Sequence, residues 1–265
     1  MTLDLSTGLG EPLRLVRDGT LITSPLDSTA PFPTVSKPVL ISTVKNEAGL
    51  TIFGGSPASI SAQSYAAAVG ASFGNPATER ILANPNYAAL NTSADEDQRP
   101  VLERLGTDQI WRCPTWTFAR NWVSHGGKAF VGLYTVGASY PGNSNITSFC
   151  TEEGVVCHQD DIEIVVRIES FLSALCRLLI TRFQFGTVPN PSSQQSTLVN
   201  EMQARYKAFM NTGNPNVGGL ATWHEATSSN MPALNLGGSG QIAAGGCEPT
   251  FFGDAVLYDY QIFGI

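Results

Sequence analysis

Apolar and β-branched residues form two continuous runs along this chain, one over residues 39–44 and one over residues 128–136. Neither run alternates with polar residues. An unbroken apolar run of this length is typical of a strand buried on both faces of a parallel sheet. Aromatic and β-branched residues at 255–263 predict a final strand.

Helical patterns lie between and after these runs. Residues 59–72 are rich in alanine, and residues 107–124 carry apolar side chains at helical spacing. Residues 162–183 and 198–210 are also predicted to be helical, whereas the Gly/Ser/Ala-rich segment 234–246 is predicted to be a surface loop. Strands that alternate with helices indicate an α/β fold, with a mostly parallel sheet and flanking helices.

The composition is that of a globular protein. The chain has 265 residues, of which 42% are hydrophobic and 14% charged, and this suits a single domain over residues 1–265 with a sizeable core. A net charge of −7 without a Lys/Arg cluster argues against a nucleic-acid partner. No apolar stretch approaches the roughly 18 residues that span a bilayer, so no transmembrane segment is predicted.

The compartment stays open between two alternatives. Five cysteines and the glycosylation sequons at Asn91 and Asn145 suit the secretory pathway, although the N-terminus lacks the features of a signal peptide. The first alternative is a secreted protein whose signal was lost together with an N-terminal half. The second is a cytosolic protein with five reduced cysteines.

An acid and a histidine are the candidates for chemistry. Glu47 follows the first apolar run, and His158 lies in the cluster Cys-His-Gln-Asp-Asp at 157–161. An acid at a strand end and a histidine on a later loop match the last two members of the serine, acid, histidine order of α/β-hydrolases. Glu47 would orient the imidazole, and His158 would be the general base. His125 is predicted to cap a helix, and His224 to be structural.

Five short motifs follow one another along the chain, at 16–19, 37–49, 108–114, 156–162 and 209–215. In this order they resemble the C-terminal half of the type-B carboxylesterase family, which includes cholinesterases and fungal lipases. The resemblance implies the C-terminal portion of an α/β-hydrolase fold, carboxylic ester hydrolysis without a cofactor, and an ester substrate. It assigns the catalytic acid to Glu47 and the base to His158.

Two of these motifs also depart from the family pattern. The family's Asp-Glu-Gly is Asn46-Glu47-Ala48 in this chain. In the base motif, Gln159 stands where the family has a glycine, and Glu163 where it has a proline. These changes bear on the geometry of the catalytic loop.

A nucleophilic serine on a strand–turn–helix elbow should precede Glu47, but no residue before Glu47 lies in such a pattern. The one Gly-x-Ser-x-Gly motif surrounds Ser72, follows Glu47 and comes after a helical stretch, which disfavours Ser72 as the nucleophile. The chain is therefore predicted to be a truncated serine esterase without its elbow, inactive alone. The alternatives are a non-hydrolytic binding or accessory protein in small-molecule biosynthesis, or an active esterase using Ser72.

Two cysteines bracket the approach to the predicted base. A disulfide between Cys150 and Cys157 would stiffen the segment that carries His158, although Cys113 is an alternative partner for either. Cys176 is predicted to be a buried free thiol, and no Cys/His spacing indicates a metal site.

The predicted strands also bear on partners. Central parallel strands need neighbours on both edges, and an N-terminal half would supply one of them. The chain alone is therefore expected to self-associate or to pair with such a half through an unpaired edge.

Overall fold

The computed structural model describes Thr20 and residues 35–90, 96–138, 140–165 and 191–252. Within these ranges a four-stranded sheet has the strand order β1-β2-β3-β4. The strands are β1 (Pro38–Val44), β2 (Lys128–Tyr134), β3 (Ala233–Leu236) and β4 (Gln241–Ile242). The first three strands are parallel and β4 is antiparallel to β3. The predicted α/β class, with a mostly parallel sheet, is confirmed.

Helices connect the strands and cover the sheet. They are α1 (Gly49–Gly55), α2 (Ala62–Phe73), α3 (Ala77–Ala83), α4 (Arg99–Thr107), α5 (Cys113–Ser124), α6 (Ile162–Val165) and α7 (Ser193–Thr212). Three short 3₁₀ turns cover Pro141–Asn145, Phe149–Thr151 and Gly245–Cys247. A π-helical turn, Asp108–Arg112, joins α4 directly to α5.

The strand β2 is the centre of the sheet. It pairs with β1 over seven residues, from Pro38 opposite Lys128 to Val44 opposite Tyr134, and with β3 on its other side. Every residue of β2 after Lys128 is buried, as the unbroken apolar run predicts. Most of β1 is only half-buried, and in the described part of the chain β1 pairs with β2 alone.

Alternate residues of β2 face two separate cores. Ala129 and Val131 pack with the core formed by α2, α3, α4 and α5, which contains the fully buried Trp116. Phe130 and Tyr134 pack with α6 and α7 in a second core around Trp223. Helices therefore cover both faces of the sheet, which is what the period-2 geometry of a strand buried on both faces requires.

The helix boundaries follow from local signals in the sequence. A capping box between Ser192 and Gln195 starts α7, and Gly213, with φ 74°, ends it in the left-handed conformation. The predicted helix at 198–210 thus begins earlier than expected. The predicted helix at 59–72 corresponds to α2, and that at 107–124 to the π-turn and α5.

One prediction about the fold is wrong. The segment 234–246, expected to be a surface loop, contains most of β3, all of β4 and the first two residues of a 3₁₀ turn. Leu234 and Leu236 are buried because β3 pairs with β2. Two leucines in a glycine-rich segment give no recognisable strand pattern. Pairing with the neighbouring strand β2 determines that this segment is a strand. The predictions for 16–19, for the helix beyond Val165, for 255–263 and for Cys176 and Asn91 lie outside the described residues.

Candidate active site

The acid lies at the carboxyl end of β1. Glu47 belongs to the short turn between β1 and α1 and is only 6% exposed. Its Oε1 accepts a hydrogen bond from the N–H of Val44 at 2.9 Å, so the side chain turns back on the strand that precedes it. This bond to the backbone fixes the direction of the carboxylate and leaves Oε2 for a second partner.

That second partner is His158. Its Nδ1 lies 2.6 Å from Oε2 of Glu47, although the two residues are separated by 111 positions in the sequence. An ionised carboxylate can only accept a hydrogen bond, so this contact assigns the proton to Nδ1. In a neutral ring, Nε2 is then the acceptor nitrogen. The imidazole side chain is 44% exposed, whereas the carboxylate side chain is 7% exposed. The structure thus brings the two predicted residues together, and their catalytic role remains a prediction.

Asn46 ties the loop of the acid to the loop of the base. Its backbone N–H donates to the carbonyl of Val156 at 2.8 Å, and its side-chain Oδ1 accepts from the N–H of Val156 at 3.1 Å. Lys45 adds a bond from Nζ to the carbonyl of Gly154 at 2.8 Å. These contacts form beside an isolated parallel bridge between Asn46 and Cys157. The two loops are therefore held together by more than the Glu47–His158 bond.

A disulfide closes the segment before His158. Cys150 and Cys157 are bonded and fully buried, which is one of the pairings that the sequence left open. The bond packs against the start of α1 at Gly49, where an added Cβ would lie 2.7 Å from Sγ of Cys157. Cys113 pairs instead with Cys247, so the alternative pairing of Cys113 with Cys150 or Cys157 is wrong.

The residues after His158 form a tight, buried turn. Asp160 is 1% exposed, and its Oδ2 accepts from the N–H of Cys157 at 2.7 Å. Burial raises the pKa of Asp160 to about 8. Burial, followed by the nearby charge of Glu47, also raises the pKa of Asp161. Gln159, between His158 and these acids, has φ 74° and stands where the family has a glycine.

A buried carboxylate on α4 lies behind the acid. Glu103 is 5% exposed, and Thr107 and Asn46 both donate hydrogen bonds to it. Burial raises the pKa of its side chain. The sequence analysis missed this residue, because a single glutamate in a helical segment carries no signal of being buried.

An aromatic side chain stands beside the base. The ring of Trp111 lies 5.8 Å from the imidazole of His158, centroid to centroid, with the planes tilted by 46°. Trp111 belongs to the π-helical turn, where the preceding Ile110 is 55% exposed. Such turns are frequent at functional sites. The sequence analysis identified the segment 108–114 as a family motif but did not identify this contact.

The Gly-x-Ser-x-Gly motif does not form an elbow. Ser72 is an exposed residue in the last turn of α2, and a helix rather than a strand precedes it. Gly74 ends the helix with φ 63°, as predicted, whereas Gly70 lies inside it. The nucleophile geometry of an α/β-hydrolase is therefore absent at Ser72.

The remaining candidates are distributed over the surface and the core. His125 caps the C-terminus of α5, as predicted, and His224 is exposed. Asn145 is exposed at the end of a 3₁₀ turn.

Asp108 lies near Cys113 and Cys247 in a grouping that resembles a metal site, but both sulfurs form the disulfide. None of the described helices combines the length and apolar character needed to cross a bilayer.

Comparisons with known proteins show what this chain is similar to. A model of the carboxylesterase family matches residues 10–248. Similar solved structures include a PNB esterase and a thermophylic PNB esterase, each 19% identical with a TM-score of 0.48. Each match covers 74% of this chain and 34% of the esterase, so the chain spans about a third of their length. No curated protein matches the chain significantly.

Proposed function

Because this chain belongs to the carboxylesterase family, we propose that it supplies the acid and the general base of a carboxylic ester hydrolase. The observation that carries the proposal is the 2.6 Å contact between the buried carboxylate of Glu47 and the half-exposed imidazole of His158. An acid that holds Nδ1–H in place leaves Nε2 to accept a proton from a nucleophile. The reaction class is hydrolysis of a carboxylic ester.

In this proposal His158 transfers one proton in each half of the reaction. Nε2 takes the proton of a serine hydroxyl while its oxygen attacks the ester carbonyl carbon, and returns it to the leaving alcohol as the carbon–oxygen bond breaks. In the second half, Nε2 takes a proton from water as the water oxygen attacks the acyl-serine. The proton passes to the serine oxygen, and the acid product and the free serine are released. Glu47 stays ionised throughout and stabilises the imidazolium that forms.

The serine and the oxyanion-hole donors are assigned to a segment that this sequence does not contain. No residue before Glu47 lies in an elbow pattern, and Ser72 is at the end of a helix. A base without a hydroxyl to activate gives no turnover, so the chain alone is proposed to be inactive. The same segment would add a strand beside β1, and residues 1–265 would form part of one domain with it.

The test compares the chain alone with the chain co-expressed with a family segment that carries the elbow. We expect no hydrolysis of p-nitrophenyl acetate by the chain alone, and hydrolysis by the combination. In the combination, H158A should lower kcat on the order of 10³-fold or more, and E47Q should lower it by less. Full activity of H158A would contradict the assignment of the base. Hydrolysis by the chain alone that S72A abolishes would establish the Ser72 alternative.

A second candidate function is a non-hydrolytic member of the family, retained for binding or as an accessory factor. One observation favours it: Gln159, directly after the base, holds a positive φ that its side chain disfavours. If the combination is inactive but gains activity with Q159G, the base loop of the natural chain is not set for catalysis. Inactivity of both in a folded combination would also favour this candidate.

We also propose that Asn145 carries an N-linked glycan when the protein passes through the secretory pathway. The asparagine is exposed, and the two disulfides suit an oxidising compartment. A decrease in mass after glycosidase treatment that N145Q abolishes would support the glycan. Unmodified Asn145 in the secreted protein would contradict it.

A further inference from the structure

The buried glutamate Glu103 has no place in the reaction as proposed. Its carboxylate is 5% exposed, and the two short contacts that hold it come from neutral groups, Oγ1 of Thr107 at 2.7 Å and Nδ2 of Asn46 at 3.2 Å. Burying a carboxylate costs free energy unless its oxygens are well satisfied. Neutral donors satisfy the oxygens without cancelling the charge, which makes the two contacts obligatory for the fold around them.

Both contacts lead to residues that flank Glu47. The hydroxyl of Thr107 donates its only proton to Glu103, and its oxygen accepts the N–H of Ala48 at 3.0 Å. The amide of Asn46 donates a hydrogen bond from Nδ2 to Glu103. This orients Oδ1 toward the N–H of Val156, which donates to it at 3.1 Å. One carboxylate thus holds the residue before the acid, the residue after it and, through Asn46, the loop of the base.

We propose that Glu103 is a positioning residue that fixes the Glu47–His158 pair in its hydrogen-bonded geometry. This inference rests on the proposed roles of Glu47 and His158. Glu103 acts through Asn46 and Thr107, the two residues that donate hydrogen bonds to it. It sets the orientation of two loops that meet at the reacting nitrogen.

The partner of Glu103 on the acid loop is the amide of Asn46. The family motif has an aspartate where this chain has Asn46. An aspartate here would place two carboxyl groups across a contact of 3.2 Å, and their like charges would repel each other when both are ionised. The amide of Asn46 removes that repulsion and supplies the donor that Glu103 needs.

The test measures the reactivity of His158 on the resting protein, so that no nucleophile and no turnover are required. Diethyl pyrocarbonate modifies exposed imidazoles, and the rate at His158 relative to the exposed His224 reports on the ring orientation and tautomer that Glu47 imposes. Amide hydrogen exchange over 44–48 and 154–158 reports on the two loops. Both are read by mass spectrometry on the full chain.

Two matched pairs of variants separate positioning from stability. E103Q keeps the shape but presents an N–H₂ group to one of its two donors. E201Q removes a carboxylate elsewhere, the ion-pair partner of the buried Arg205 on α7. T107V deletes the hydroxyl with little change of volume, whereas T107S keeps the hydroxyl.

We expect E103Q and T107V to lower the His158 to His224 ratio about threefold and to speed exchange in both loops about tenfold, which corresponds to one lost hydrogen bond. T107S and E201Q should keep the wild-type ratio.

An unchanged ratio in E103Q and T107V, with stability lowered as in E201Q, would show that Glu103 is structural only. If E103Q does not fold, T107V against T107S decides. Failure of ester hydrolysis in the combined enzyme would leave this comparison intact, so the two proposals fail separately.

Discussion

Gln159 holds a backbone conformation that glycine adopts more readily. It is the only non-glycine residue with positive φ in the described part of the chain, and its Oε1 is buried with no hydrogen-bond partner among the described residues. A left-handed conformation costs a residue with a Cβ about 1–2 kcal/mol, and an unpaired buried amide oxygen adds to this. Some of the gain from glycine is lost to the entropy of the unfolded chain.

Q159G is therefore expected to raise the free energy of unfolding by about 1 kcal/mol. Urea denaturation measures the change. Q159A is the control, since it keeps the Cβ and its strained φ but removes the amide. If Q159A stabilises as much as Q159G, the buried amide rather than the backbone is the cause, and a loss of stability in Q159G would contradict both.

Asp160 makes the stability depend on pH in the opposite sense to a salt-bridged acid. Burial raises its pKa to about 8 in the folded protein, from an ordinary value of 3.8. Between these values the folded state binds the extra proton, so the free energy of unfolding falls as pH rises, by up to about 1.4 kcal/mol per pH unit. The contribution is complete below about pH 4 and lost above about pH 8.

D160N should remove this slope and make the protein more stable than wild type at pH 9. The asparagine oxygen can still accept from the N–H of Cys157, and no buried charge forms. Urea denaturation at several pH values between 5 and 9 measures the slope. The exposed variant E152Q controls for the change of net charge. A wild-type slope in D160N would assign the titration to another group.

The sequence could predict that Glu47 and His158 lie together, because both lie in motifs with a fixed place relative to a strand or a cysteine. It could not identify Glu103 or Trp111. Their roles depend on how α4 and the π-turn pack against loops that are distant in sequence. Periodicity describes which face of a helix is apolar, and it contains no information about which loop that face meets.

The two disulfides join elements at very different separations. Cys113–Cys247 links the start of α5 to a 3₁₀ turn 134 residues later, whereas Cys150–Cys157 closes a separation of 7. Loop-closure entropy predicts about 5 kcal/mol for the first and about 2.5 kcal/mol for the second. The double variant C113S/C247S should therefore lose more stability than C150S/C157S.

The short disulfide should have the larger local effect. Hydrogen exchange at 154–158 should accelerate in C150S/C157S more than in C113S/C247S, because only the first bond ends beside His158. Urea denaturation and exchange together measure the two effects. The reverse order of either result would contradict the division into a global and a local crosslink.

Elements with strong internal patterns could be predicted, and elements defined by a neighbour could not. The strands β1 and β2 are continuous apolar runs, and α2 and α7 have helix-favouring interiors with cap residues. By contrast β3 has four residues, two of them leucines, and β4 has two. Such short strands exist because β2 offers an open edge, which is a tertiary property.

In the part of the sheet that the structure describes, one side of β1 is unpaired. Within the described ranges β1 pairs with β2 only, and most of its residues are half-buried. An unpaired edge is a template for a further strand, whether from an added segment or from a second copy. We expect the chain alone to self-associate with increasing concentration, as measured by sedimentation velocity.

I41K on β1 should shift the chain toward monomer, because a charge on an edge strand opposes pairing. M210K is the matched control, since Met210 is 76% exposed on α7 and also apolar. A concentration-independent monomer would contradict the role of the edge. An equal effect of M210K would place the contact on α7 instead.

The π-helical turn between α4 and α5 has a consequence for insertions and deletions. A π-turn contains one residue more than the α-turn it replaces, so the helices on either side keep their own registers. Removing the exposed Ile110 should therefore restore an ordinary helix, with Leu105 and Trp116 still in the core. The deletion variant should unfold near the wild-type urea midpoint while Trp111 moves away from His158, and a large loss of stability would show that the extra residue is structural. In an alignment of relatives, a one-residue gap at 108–112 would then separate chains that place an aromatic ring beside the base from chains that do not.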